Sequence, residues 1–199
     1  KAAESLVELP LAKEYAVSPL DFENVTPKLL VKVGDKVKAG TPLFFDKNNE
    51  RVLFTSPVSG TVSAVNRGEK RKVLNVTVAA DKEQVSEEFA ALDLKKATRD
   101  EVIEMLLKSG LWTMIIQRPY GIVANPADMP KAVFVSAFDS APLAPDFNFA
   151  LKGEKENLQK GFEVLAKLAG NAPHLSLRAK SEGEMASLNG VELHTFAGK

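Results

Sequence analysis

Two histidines, His174 and His194, and no cysteine at all set the outer limits of the chemistry open to this 199-residue chain. Without cysteine there is no disulfide, no thiolate-held iron–sulfur cluster and no cysteine nucleophile. Each histidine stands inside an alternating apolar stretch, His174-Leu175-Ser176-Leu177 and Val191-Glu192-Leu193-His194-Thr195-Phe196. The two lie far apart in sequence, without the spacing of a metal-binding pair, so each reads as a strand residue rather than a ligand. No P-loop, no pair of catalytic carboxylates on one helix and no Ser/His/Asp arrangement stands out. One turn invites a nucleotide test, the loop Phe138-Asp139-Ser140-Ala141-Pro142-Leu143-Ala144-Pro145-Asp146. Dinucleotide binding at such a turn needs glycines, so that backbone amides can approach a pyrophosphate at a helix N-terminus. This loop has no glycine; its prolines remove amide donors, and Asp139 and Asp146 repel phosphate. Nucleotide binding in the ordinary mode is not expected.

That loop follows an apolar run, Lys131-Ala132-Val133-Phe134-Val135-Ser136-Ala137, of the kind buried in a parallel sheet. From residue 153 to 169, Leu158, Phe162, Leu165 and Ala169 recur at helical spacing, and Gly170 stands where a left-handed helix cap belongs. The two histidine-bearing stretches are strands, separated by a weak helical segment at 182–187. Strand, helix, strand, short helix, strand is a βαβ pattern and predicts a parallel, Rossmann-like sheet over 131–199.

The first eighty residues follow a different period. Residues 1–27 carry Pro10, Pro19 and Pro27 and read as extended chain. Val33-Gly34-Asp35-Lys36-Val37-Lys38-Ala39-Gly40-Thr41-Pro42-Leu43 and Ser56-Pro57-Val58-Ser59-Gly60-Thr61-Val62 pair turn residues with apolar ones. Gly34 and Gly40 can take positive φ without a Cβ penalty, and Gly60 is expected to do the same. Leu43-Phe44-Phe45 and Val52-Leu53-Phe54 read as short strands, and Val73-Leu74-Asn75-Val76-Thr77-Val78 as a closing strand beyond a basic turn at 66–72. Two hairpins around one core make a small barrel or sandwich over 1–80, which resembles the biotinyl/lipoyl-carrier fold. In that family a modified lysine sits at a hairpin tip, usually between methionines. Here the tip reads Asp46-Lys47-Asn48-Asn49-Glu50, with Lys47 at its start and Asn49 or Glu50 nearest the family's lysine. The resemblance therefore implies the carrier fold without its swinging arm.

Residues 81–130 join the two parts. Thr98-Arg99-Asp100-Glu101 fits a capping box. Val102, Ile103, Leu106 and Leu107 form one apolar helix face, and Gly110 ends it. The dense apolar segment Leu111-Trp112-Thr113-Met114-Ile115-Ile116-Gln117-Arg118-Pro119-Tyr120 follows. It is expected to lie between the two domains and be covered by them, since bare it would expose a large apolar patch. Pro126 and Pro130 mark a linker.

Composition fits an ordinary globular protein: 45% hydrophobic and 26% charged residues, with 26 basic against 26 acidic side chains. Zero net charge speaks against nucleic acid as a principal partner, because such binding needs a basic field. No apolar run approaches the roughly 18–20 residues of a membrane span. The chain begins at Lys1, shows no signal-peptide pattern and reads as part of a longer protein.

Arg118-Pro119-Tyr120, then Val123 to Pro126, then the run from Pro130 to Ala144 resemble the A subunit of the bacterial sodium-translocating NADH:quinone reductase. Gly34 to Gly40, Ser56 to Gly60, Asn66-Arg67-Gly68 and Leu107 to Trp112 are similar in the same family and order. The resemblance implies a biotinyl/lipoyl-like barrel-sandwich hybrid domain followed by a Rossmann-like α/β domain, lacking the family's C-terminal part. That family is distantly similar to the flavin subunit of respiratory complex I and to the C subunit of the Rnf electron-transport complex. Those relatives carry a glycine-rich flavin loop where residues 111–120 here have no glycine. What the resemblance implies is a peripheral subunit without cofactor or catalytic residue of its own, on the cytoplasmic face of the bacterial inner membrane. It would serve a complex that passes electrons from NADH to ubiquinone or menaquinone and exports sodium. Flavins and an iron–sulfur cluster would belong to other subunits. An Rnf-type subunit and a non-catalytic docking module are the alternatives.

Overall fold

The computed structural model describes residues 4–197, so the outermost expectations, at 1–3 and at Gly198-Lys199, lie outside the described residues. The chain forms two compact units. One comprises Leu9–Leu92 with Ile103–Asp128; the other comprises Asp93–Val102 with the chain before Leu9 and from Met129 on.

The first unit holds β1 (Glu14–Val17), β2 (Pro27–Leu29), β3 (Lys36–Val37), β4 (Pro42–Asp46), β5 (Asn49–Thr55), β6 (Gly60–Arg67) and β7 (Val73–Ala80). They make two antiparallel sheets, ordered β1-β7-β6-β3 and β2-β4-β5. Leu43, Phe44, Val52, Phe54, Val62, Val76 and Val78 are buried between them. The Phe44 and Phe54 rings stack at 4.7 Å, and Phe22 meets Phe54 edge-on at 4.7 Å. The buried Phe44 and Phe54 each contribute about 1.5–3 kcal/mol, and the half-buried Phe22 less, so this ring cluster anchors the barrel.

Two expectations for this unit are corrected. Residues 14–17 are a sheet strand rather than simple extended chain, since Tyr15 pairs with Val78 and Val17 with Val76. Proline punctuation at Pro10 and Pro19 hid a strand of only four residues. Gly34 and Gly40 take φ of 95°, but Gly60 has no positive φ. Gly60 is needed for close approach instead: a Cβ there would lie 2.0 Å from the Ala79 carbonyl oxygen.

α1 (Arg99–Lys108) begins at the expected capping box. The Glu101 carboxylate accepts the Thr98 N–H at 2.7 Å, and the Thr98 hydroxyl accepts the Glu101 N–H at 3.2 Å. Val102, Ile103, Leu106 and Leu107 are its buried face, and Gly110 closes it at φ 76°. A 3-10 turn at Leu111–Met114 and the ribbon of β8 (Ile116–Gln117) with β9 (Ile122–Val123) complete this part of the chain. The expectation that this apolar segment is covered is corrected for Leu111, Met114 and Tyr120. Trp112 and Thr113 are buried within the barrel's unit, but Leu111, Met114 and Tyr120 are 57%, 71% and 71% exposed. The Trp112 indole N–H donates to the Ala124 carbonyl at 2.7 Å, which draws one ring inward and leaves its neighbours outside.

The second unit carries β10 (Phe134–Ser136), α2 (Phe147–Ala150), α3 (Lys155–Ala169), β11 (His174–Arg178) and β12 (Glu192–Phe196). The three strands are parallel in the order β10-β11-β12, as the βαβ pattern predicts. Phe162 of α3 packs with Leu175, Leu177, Met185 and Leu188, with Leu158 and Val135 against them. Gly170 ends α3 at φ 72°, and the Arg99 guanidinium donates to the Leu168 carbonyl at 2.8 Å, satisfying a carbonyl in the helix's last turn.

Candidate functional site

In open α/β sheets, ligands bind outside the carboxyl ends of the strands. The loops that leave β10 and β11 there enclose a crevice of 560 Å³, lined by Phe138, Asp139, Pro145, Asn148, Arg178 and Lys180 among others. Its local geometry follows from short-range hydrogen bonding. The Asp139 carboxylate accepts the Ala141 N–H at 2.8 Å, and Asp146, the N-cap of α2, accepts the Asn148 N–H at 2.9 Å. Two of the amides that a phosphate would need are therefore already bound to carboxylates. Asp139, Asp146 and Glu182 face Arg178 and Lys180 around the same crevice, a balance that does not favour an anion. The Asn148 amide donates to the Ser181 hydroxyl at 2.9 Å, while its Oδ1 is buried without a hydrogen-bond partner. What the crevice offers is thus one buried acceptor, a charged rim and the Phe138 and Phe147 rings.

The hairpin tip of the barrel differs from its expected reading. Asp46 pairs with Asn49, so Lys47 and Asn48 are the two turn residues, and Asn49 and Glu50 already belong to β5. Lys47 is therefore the first of the two tip residues, as expected, and the tip is shorter than its expected span of 46–50. Register decides this, because a two-residue loop leaves no room for a longer turn. The tip is tied down on both sides: the Lys47 N–H donates to the Thr26 carbonyl at 2.8 Å, and Asp46 accepts the Thr26 and Asn48 N–H groups. The Asn48 amide reaches the Asn24 carbonyl at 3.2 Å. Residues 111–120, in the place of a flavin loop, form the 3-10 turn and β8, and the next glycine, Gly121, caps a turn by donating to the Gln117 carbonyl.

Both histidines are strand residues, but they do not stand apart. Parallel register sets His174 beside Glu192 and Ser176 beside His194. His174 Nδ1 lies 2.8 Å from His194 Nε2 and 3.2 Å from a Glu192 carboxylate oxygen. Neither the pairing nor the part of Glu192 has a signal in the sequence, where twenty residues separate the rings.

Both units have known counterparts. Residues 1–81 match the family described as NqrA N-terminal barrel-sandwich hybrid domain, and residues 97–199 the one described as NqrA second alpha/beta domain. The chain belongs to the NqrA family. It is 37% identical over 174 residues to the A subunit of the Na(+)-translocating NADH-quinone reductase of Yersinia pseudotuberculosis serotype O:1b (strain IP 31758), covering 86% of this chain and 39% of that protein. The same-named protein of Pseudomonas aeruginosa (strain UCBPP-PA14) is 36% identical, over 94% of this chain and 42% of its own length. That of Marinomonas sp. (strain MWYL1) is 40% identical over 79% of this chain and 36% of its own. The chain thus spans about two fifths of the length of the NqrA relatives it matches. The two matched regions occur in NqrA order, barrel-sandwich hybrid first and α/β domain second. No helix among the described residues of this NqrA-family chain is long and apolar enough to cross a membrane.

Proposed function

We propose that this chain serves as part of a peripheral subunit of a sodium-translocating NADH:quinone reductase, on the cytoplasmic face of the membrane. The complex would pass electrons from NADH to ubiquinone or menaquinone and export sodium. The chain's own share is to dock onto other subunits and to shape a site, with the flavins and the iron–sulfur cluster held elsewhere. The observation that carries this reading is the succession of the two NqrA domains, supported by 37% identity to the Yersinia protein over 86% of the chain. The absence of cysteine from the sequence fits a part that holds no iron–sulfur cluster through thiolates. The carboxylate-occupied amides of the crevice fit a part that does not itself take up NADH or flavin phosphate. Barrel and α/β unit are then folds that keep a shape for partners rather than a reaction of their own.

Co-expression with the other subunits of a relative's reductase tests the reading. The chain should sediment with membranes that carry those subunits and remain soluble when they are omitted. Equal recovery with both kinds of membrane overturns the assignment.

A further inference from the structure

Alternation along β11 sends Leu175 and Leu177 into the core, where they are 0% and 1% exposed. His174 and Ser176 must then face the other side of the sheet, and parallel register places Glu192 and His194 on that same side. Three ligand-bearing side chains meet there. His174 Nδ1 is 2.8 Å from His194 Nε2 and 3.2 Å from the Glu192 carboxylate, and one donor atom from each of the three lies within 4.8 Å of the others. The Phe134 ring stacks on His174 at 4.6 Å, and His174 stacks on His194 at 5.1 Å, so a row of rings crosses all three strands. Phe134 thereby walls one flank and restricts how far His174 can turn away.

We propose that His174, Glu192 and His194 form a binding site for a divalent transition metal of the zinc class. Imidazole nitrogen with one carboxylate suits Zn²⁺, Co²⁺ or Ni²⁺, whereas Mg²⁺ and Ca²⁺ favour oxygen alone. Ligand bonds of about 2.0–2.2 Å in a tetrahedral arrangement separate donor atoms by about 3.3 Å. The observed separations of 2.8 and 3.2 Å, with the Glu192–His194 pair within 4.8 Å, place the three donors where side-chain rotation admits an ion. Three protein ligands leave a fourth position for water or for a group from a partner. The site lies at the amino ends of β11 and β12, opposite the carboxyl-end crevice, and Glu192 and His174 are the first residues of their strands. A metal there would clip together two parallel strands whose connecting segment contains only a 3-10 turn. It would act on the fold and need not take part in electron transfer.

The test is calorimetric titration of zinc chloride into tag-free, chelator-treated full chain, compared with His194→Ala and Glu192→Gln. Both side chains are exposed, so the variants should keep the parent circular-dichroism spectrum. The expected result is one zinc per chain at micromolar affinity or tighter, weakened more than about tenfold in each variant. Zinc at about a hundredfold the parent's dissociation constant should also raise the melting temperature of the parent chain by about 5 °C and that of His194→Ala by no more than about half as much. Cobalt substitution should yield the visible absorption of a four-coordinate ion. Binding that appears only at millimolar zinc, or that both variants retain in full, overturns the proposal.

Discussion

A Cβ on Gly60 would sit 2.0 Å from the carbonyl oxygen of Ala79, because the first residue of β6 packs flat against the end of β7. Gly60 is thus indispensable for space, whereas Gly34, with nothing within 4 Å of its would-be Cβ, is there for its φ of 95°. The two glycines should respond differently to alanine. Gly34→Ala adds only left-handed strain, about 1–2 kcal/mol. Gly60→Ala forces two backbones apart and should cost about 3 kcal/mol. Urea unfolding followed by circular dichroism measures both, and equal losses would show that the β6–β7 contact gives way more easily than its geometry implies.

The capping box at α1 predicts an acid-side loss of stability. Hydrogen bonds from the Thr98 backbone, and then from its hydroxyl, hold the Glu101 carboxyl below its ordinary value of 4.5. A carboxyl with a lowered folded-state value contributes stability that is present above 4.5 and is lost as pH falls through the lower, folded value. Glu101→Ala should therefore lower the melting temperature at pH 7, and the gap to the parent should close as pH falls below 4.5. Thr98→Ala should cost about 1 kcal/mol at neutral pH. A gap between Glu101→Ala and the parent that does not change with pH would place the effect in packing rather than in the carboxylate.

The crevice beyond β10 and β11 should not take NADH or flavin mononucleotide. Calorimetric titration of either into the purified chain should give no saturable heat. If occupation of the Ala141 and Asn148 amides, rather than carboxylate charge, is what excludes phosphate, the double variant Asp139→Asn with Asp146→Asn should still bind poorly, because asparagine keeps the same turns and holds the same amides. Micromolar binding by the parent would contradict the reading of this loop.

Local patterns carried much of this molecule into view. Helix α1, its Thr98–Glu101 cap and its Gly110 stop were legible because they depend on residues within one or two turns. The βαβ order was legible because the buried faces of α3 and β11 repeat at 3.6 and 2 residues. Strand β1 was not, since four residues between prolines acquire strand character only by pairing with β7. The fate of Trp112 was equally hidden, because the indole N–H is satisfied by the carbonyl of Ala124, twelve residues on and brought back by the β8–β9 ribbon.

Composition and short-range periodicity were enough to establish the two domain types, their order and the lack of any thiolate chemistry. Three matters were left to tertiary structure. Strand register confined the hairpin tip to Lys47 and Asn48 and left Asn49 and Glu50 in β5. Close approach of two backbones, not a turn, gave Gly60 its role. Parallel pairing of β11 with β12 brought His174, Glu192 and His194 to one point on a sheet face. In each case the deciding contact joins segments distant along the chain, and a period read within one segment carries no information about its alignment with another.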